Sequence, residues 1–310
     1  MRTSIVTGAG GFVGTAVARK LLERGDKVVA LGLSRKPDAL SDAIWVQGSI
    51  TDAALVRDIV ARYEPEEVYH YAASSLVRGA VRDPAGAVQT NAFGTAALLE
   101  ACRLAGVPSI LIASSDKAYG EPTEPVSEES PLRPKHVYDV SKACTDLIAT
   151  AFAVDFGTPL VVTRSCNIFG PGDLNWSRVV PKTCLAIHER KRPVIYDGAG
   201  GMEREFVFVS DYVSAALLLT EKLASKEIPI GQAYNIGTGL VYRVRDFIQE
   251  ILVAANSTLE PEIRPREGSF GELWSQSVDS TKLRKLGWSP LVTVKEGLKI
   301  SAAWYGEYLR

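Results

Sequence analysis

Three glycines at positions 8, 11 and 14 constrain this chain more than any other feature. They follow the apolar run Ser4-Ile5-Val6 and open an amphipathic stretch from Phe12 to Arg24. A strand that runs through such a turn into a helix has little freedom of geometry. The first glycine permits the tight turn, the second lets a charged group approach the backbone, and the third lets helix and strand pack closely. The helix N-terminus adds unsatisfied N–H groups and the positive end of its dipole. Gly8, Gly11, Phe12, Val13 and Gly14 are therefore expected to hold the pyrophosphate of a dinucleotide.

The rest of the first half alternates short apolar runs with amphipathic segments. Val28–Leu33, Ile44–Val46, Glu67–Ala72, the run from Ile110 and Leu160–Arg164 read as strands. Ala53–Arg62 and a long stretch from Ala85 to Ala105 read as helices. That order predicts an α/β Rossmann fold, a doubly wound parallel sheet covered on both faces. Beyond Asn167 the texture changes to loops and short elements, with strands at Phe206–Val209 and Ala233–Ile236. Helices follow at Val244–Ala255 and within Leu283–Tyr308. At 310 residues the chain is long enough for two lobes. The expected division is a dinucleotide-binding domain over 1–166, with a return segment near 205–236, and a smaller mixed α/β C-terminal substrate lobe over 167–310.

A net charge of −1, with no long run of one sign, argues against a nucleic-acid or membrane surface and leaves a small molecule as the expected partner. Cys102, Cys144, Cys166 and Cys184 are far apart and form no C-x-x-C pair, so free thiols are expected and a zinc knuckle is not. His70, His136 and His188 are scattered without companions at ligand spacing, so no metal is expected. The chain enters a strand directly after Met1-Arg2 and has no long apolar run, which gives the expectation of a cytoplasmic protein.

The chemistry-bearing stretch is ILIASSDKAYG from Ile110, a loop, and then VYDVSKACT from Val137. A strand whose carboxyl end presents Ser114, Ser115, Asp116 and Lys117 places polar groups where ligands bind in open α/β sheets. Of eleven tyrosines, only Tyr138 has a lysine, Lys142, four residues on, which puts both on one helical face. At the end of the second strand, where an acid would grip an adenosine ribose, stand Gly32, Leu33, Ser34, Arg35 and Lys36. Arg35 or Lys36 could meet a 2′-phosphate, or both could be solvated, so the cofactor expected from the residues is NAD(P).

With these residues placed, the chain resembles the extended short-chain dehydrogenase/reductase family in its sugar-nucleotide epimerase and dehydratase branch. The motifs are TGAGGFVG, HYAA through Ala72 and Ala73, NAFGT from Asn91, SSDKAYG, the Tyr138/Lys142 pair, NIFGPGD from Asn167, REFVFVSD from Arg204, NIGTG from Asn235 and KLGWSP. HYAASSLVR followed by SSDK is most similar to CDP-glucose 4,6-dehydratases, in which Asp-Lys stands where dTDP-glucose dehydratases carry Asp-Glu; inverting UDP-N-acetylglucosamine dehydratases also carry Asp-Lys. Simple 4-epimerases usually have small residues at the first of these positions. Gly32, and Ser49 in GSITD, depart from the family's cofactor-binding pattern.

The resemblance implies a nucleoside-diphosphate hexose as substrate, NAD as the favoured cofactor and a homodimer formed by the helices around Thr95–Arg103 and Cys144–Phe152. It further implies that Tyr138, helped by Ser115 and Lys142, takes the C4 hydroxyl proton. Asp116 then acts as acid and Lys117 as base in loss of water across C5 and C6; a 4-epimerase would need only the tyrosine and lysine. Ala72, Ala73, Asn91, Tyr138 and Lys142 join the glycine turn and Arg35 in binding the cofactor, and Asn167, Arg178, Arg204 and Arg266 hold the sugar diphosphate or base.

Overall fold

The computed structural model describes residues 1–121, 125–196, 201–265 and 274–310. The first half supplies β1 (Thr3–Thr7), β2 (Lys27–Gly32), β3 (Ile44–Gln47), β4 (Glu67–His70), β5 (Ser109–Ala113) and β6 (Leu160–Ser165). The second supplies β7 (Asn167–Phe169), β8 (Val194–Tyr196), β9 (Glu203–Phe208), β10 (Gln232–Ile236), β11 (Val241–Arg243) and β12 (Glu262–Arg264). β10 leaves its neighbours in sequence and joins the first six strands in the order β10-β6-β5-β4-β1-β2-β3, every adjacent pair parallel. The fold is thus the Rossmann-like α/β arrangement expected from the strand pattern.

The helices are α1 (Phe12–Glu23), α2 (Ala53–Tyr63), α3 (Val77–Arg82), α4 (Pro84–Val88), α5 (Gly94–Ala105), α6 (Val137–Phe156), α7 (Val179–His188), α8 (Val209–Ala224), α9 (Val244–Ala254), α10 (Thr281–Arg284) and α11 (Val294–Tyr308). The strands can be apolar without interruption because alternate side chains enter different cores. Val6, Val28, Ala30, Leu111 and Val161 pack with α1 and α8 on one face; Ile5, Val29, Leu31, Ile110, Ile112, Leu160 and Val162 pack with α2, α5 and α6 on the other. The first core continues into the smaller lobe through Phe169, Phe206, Phe247 and Tyr305. There Phe206 and Phe247 stack at 3.6 Å between centroids.

One expected element breaks up. In place of a single helix over Ala85–Ala105, α4 starts at Pro84, where Asp83 accepts a hydrogen bond from the Gly86 N–H at 2.9 Å. A π-helical turn at Gln89–Phe93 then precedes α5. Such turns re-aim the chain inside a helical run. Here it buries Asn91, whose backbone carbonyl accepts from Thr95 at 2.6 Å and from Thr145 of α6 at 2.8 Å.

The sheet's switch point lies between β1 and β4, because the chain builds β2 and β3 on one side of β1 before crossing to the other. The loops after β1, β4 and β5 therefore converge on one edge, where an open α/β sheet leaves a ligand crevice.

Candidate active site

Gly8 leaves β1 in the left-handed region, at φ +66. A Cβ there would lie 2.6 Å from the Ala72 nitrogen, and one on Gly14 would lie 2.2 Å from the Gly8 carbonyl oxygen. These are backbone collisions that no rotamer relieves, so both positions require glycine. Gly11 is the N-cap of α1 and its side brings no capping group, leaving Phe12 and Val13 to start the helix half-buried. Thr7 fixes the opposite wall: its hydroxyl bonds His70 Nδ1 at 2.7 Å and accepts from the Ala72 N–H at 3.2 Å. Ala73 is half-buried beside it. Asn91 braces this loop: its Oδ1 accepts from the Ser74 N–H at 2.7 Å and its Nδ2 donates to Ser141 Oγ at 2.8 Å.

At the far end of the cradle, Gly32 has a physical explanation. A Cβ on it would lie 2.5 Å from Cη2 of Trp45, and one on Gly10 would lie 3.4 Å from the same atom. The indole of Trp45 thus covers the ground between the glycine turn and the end of β2, where the usual acid would stand. Its Nε1 is buried without a hydrogen-bond partner. Lys36 is tied to the carbonyls of Ser41 and Ala43 at 2.6 and 2.7 Å. Arg35 is exposed and has no side-chain partner among the described residues. A glycine turn closed to side chains and an orphaned indole donor at its outer end fit a dinucleotide.

The third loop carries Ser114 and Ser115 into a 3-10 turn, Asp116–Tyr119. Ser115 caps that turn, accepting from the Lys117 N–H at 3.2 Å and donating to Asp116 Oδ1 at 3.0 Å. Asp116 is buried and its other oxygen, Oδ2, has no partner. Burial raises its pKa above the ordinary carboxylate value, against the charges of Lys117 and Arg204 and the Ser115 bond. Lys117 Nζ donates to Gln276 Oε1 at 2.6 Å.

Tyr138 and Lys142 lie one turn apart at the start of α6. Burial pushes the Tyr138 phenol up to about 12; Arg178 and a hydrogen bond with Ser115 lower it, while Asp116 and Asp139 raise it further. Lys142 is buried and donates to the carbonyl of Ala113 at the end of β5. Its pKa falls to about 8 through burial, with Asp146 opposing. The foremost cation acting on the phenol is therefore Arg178, whose side chain pairs with Asp173 at 3.3 Å, while Lys142 anchors α6 to the strand end.

Of the other expected substrate residues, Asn167 on β7 donates to the Glu205 carbonyl at 3.1 Å. Arg204 on β9 faces Asp116 electrostatically and bonds the Glu203 carbonyl at 2.7 Å. Arg266 lies outside the described residues. Three groups at the site are not singled out by the sequence: Trp45 and Gln276, which stand in no motif, and Asp139, which lies within VYDVSKACT. Asp139 is buried with both carboxyl oxygens unpartnered, and Gln276 is buried with Nε2 unpartnered. Among the described residues there is no cluster of metal ligands and no helix long and apolar enough to cross a membrane. The four cysteines are free thiols.

The family model for the NAD dependent epimerase/dehydratase family matches residues 4–237. A dTDP-glucose 4,6-dehydratase of Streptomyces griseus is 32% identical over 98% of this chain and 94% of its own. The crystal structure of a UDP-glucose 4-epimerase from Thermotoga maritima, with UDP-glucose, is 30% identical and superposes with a TM-score of 0.91 over 99% of this chain and all of that one. A double mutant of dTDP-glucose 4,6-dehydratase from Streptomyces venezuelae, crystallised with NAD, is 28% identical with a TM-score of 0.89 over 99% of this chain and 97% of that one. By its sequence, its fold and the arrangement of its glycine turn, the chain belongs to the NAD dependent epimerase/dehydratase family, whose relatives here are nucleotide-sugar lyases and isomerases.

Proposed function

We propose that this protein is a sugar-nucleotide 4,6-dehydratase that uses NAD catalytically. The observation that carries the reading is the buried Asp116 carboxyl, held by Ser115 at one oxygen and unpartnered at the other, with burial raising its pKa above the ordinary carboxylate value. It stands beside Lys117, within the field of Tyr138. An acid and a base next to the tyrosine are what loss of water needs beyond oxidation at C4.

Bound in the glycine cradle, oxidised NAD would take hydride from C4 and later return it to C6, and its positive ring would favour the Tyr138 phenolate. Tyr138 takes the proton of the C4 hydroxyl, and Ser115 hydrogen-bonds the same oxygen. The resulting C4 ketone acidifies the C5 proton, which Lys117 removes as a neutral amine; the electron pair of the C5–H bond becomes the enolate. Asp116 gives its proton to the C6 hydroxyl, which leaves as water. Arg178 stabilises charge near the phenol, and Arg204, Arg266 and Asn167 bind the diphosphate or base, a task suited to forked guanidinium donors. Residues 1–166, with the return segment near 205–236, hold the dinucleotide, and the lobe over 167–310 closes on the sugar nucleotide. The combined likeness of HYAASSLVR and SSDK to CDP-glucose dehydratases makes a cytidine nucleotide the first to try, and the working state is a cytoplasmic homodimer.

The second reading is a nucleotide-sugar 4-epimerase, supported by the likeness to the Thermotoga maritima enzyme. It needs Tyr138 and Lys142 but gives Asp116 and Lys117 no task. Incubation with CDP-, dTDP- and UDP-glucose, read by mass spectrometry, separates the two. Loss of one water supports the dehydratase. An unchanged mass with inverted C4 supports the epimerase, and no turnover of any of them removes both.

A further inference from the structure

The segment 274–279 returns from the smaller lobe to the catalytic loop. Ser275 bridges to Glu203 and Val278 to Val126, while Glu205 Oε2 accepts from the Val278 N–H at 2.9 Å. Both ends of the segment are thus fixed, and Gln276 between them faces inward, 2% exposed. Its Oε1 takes the Lys117 hydrogen bond, and its Nε2 is a buried donor without an acceptor. A buried amide half satisfied in this way is unusual in a folded protein.

The charges around it explain why an amide stands there. Asp116 on the same turn and Asp139 on α6 both face Lys117. Arg204 and Glu205 on β9 act on Asp116, His136 at the start of α6 acts on Asp139, and both acids act on Tyr138. A lysine that must lose a proton already has two carboxyl groups near it, and a third would hold it as ammonium. An amide supplies a strong acceptor with no charge. It also serves both states of the amine: its oxygen accepts from the ammonium, and its NH2, turned over, can donate to the lone pair of the neutral amine.

We propose that Gln276 is the positioning residue of the C5 base, holding Lys117 Nζ on target through a neutral hydrogen bond that leaves its proton exchangeable. The inference rests on the reading of Lys117 as that base. In the step concerned, the C5–H bond breaks, its electron pair enters the enolate conjugated with the C4 carbonyl, and the proton forms the third N–H bond of the Lys117 ammonium.

Two variants of the full chain test this, Gln276→Glu and the near-isosteric Gln276→Met. Lys117 is titrated by competitive acetylation with acetic anhydride, followed by peptide mass spectrometry from about pH 6 to about pH 12, a window that extends above the ordinary lysine value of about 10.4. Gln276→Glu is expected to move the titration of Lys117 up by about one unit or more, and Gln276→Met not to move it upward. Deuterium wash-in at C5 of CDP-, dTDP- or UDP-glucose, whichever is turned over, should shift its acidic limb by the same amount, about a tenfold loss near neutral pH. The same Lys117 titration in all three proteins overturns the role of Gln276. Lys117→Met separates the two ideas: if it retains C5 wash-in, the base assignment fails, whatever the acetylation experiment gives.

Discussion

Asp139 shows how a single buried group can set a pH dependence. Neither of its oxygens has a hydrogen-bond partner, and burial raises its pKa from 3.8 to about 6; Lys117 and His136 oppose the rise and Asp116 adds to it. The folded state therefore prefers the protonated acid. Its contribution to stability is complete below the unfolded value and is lost as pH rises through about 6. The loss amounts to at most about 3 kcal/mol above that range. Asp139→Asn should raise Tm at pH 8 and leave it nearly unchanged well below the unfolded carboxylate pKa, by thermal melts at both pH values; an equal effect at both would contradict the assignment. Gly14 offers a sharper case, since a Cβ there meets the Gly8 carbonyl oxygen at 2.2 Å. Gly14→Ala should weaken NAD binding by at least tenfold in calorimetric titration, because turn and helix must separate; unchanged affinity would mean that the cradle does not hold the pyrophosphate. The need for glycine at 8 and 14 was legible in the sequence because spacing alone states it. Trp45 over Gly32 was not, because the clash that excludes an acid there comes from β3, twelve and more residues away.

Among the elements, β1, β2, β5 and β6 could be read directly, since runs of apolar residues between turns have few other uses. α8 (Val209–Ala224) could not. Its run Ala-Ala-Leu-Leu-Leu gives little contrast between faces, and it is buried along most of its length between α1 and the sheet. The long helix expected over Ala85–Ala105 failed for the opposite reason: its composition is helical, but Pro84 and the π-helical turn around Asn91 re-aim it. α6 is held from behind by Arg164 of β6, which makes two bonds to Asp146 at 2.7 and 2.8 Å and one to Tyr119 at 2.9 Å. Asp146 is one turn beyond Lys142 and almost wholly buried. Arg164→Met would leave that carboxylate unpaired at a cost of about 3–5 kcal/mol. The expected outcome is a large fall in the chemical-denaturation midpoint, partly restored by Asp146→Asn on the same background; no restoration would show that the loss is one of packing rather than charge.

At the level of the molecule, α6 carries exposed Val140, Leu147 and Val154 at intervals of seven residues, with Leu104 exposed on the neighbouring α5. A stripe of this kind on a long helix matches a helical pairing surface. If it forms the proposed homodimer, Leu147→Glu with Val154→Glu should give a monomer by light scattering; a wild-type chain that is already monomeric at micromolar concentration would contradict the proposal. The convergence of three loops at one sheet edge makes a more demanding claim, that a single pocket oxidises C4 and later reduces C6. Its most direct test is to supply a nucleoside-diphosphate glucose carrying deuterium at C4 and to locate the label by NMR. The account predicts deuterium at C6 of a 4-keto-6-deoxy product, transferred within one sugar. Deuterium retained at C4, on a hexose that has lost no water, would contradict it.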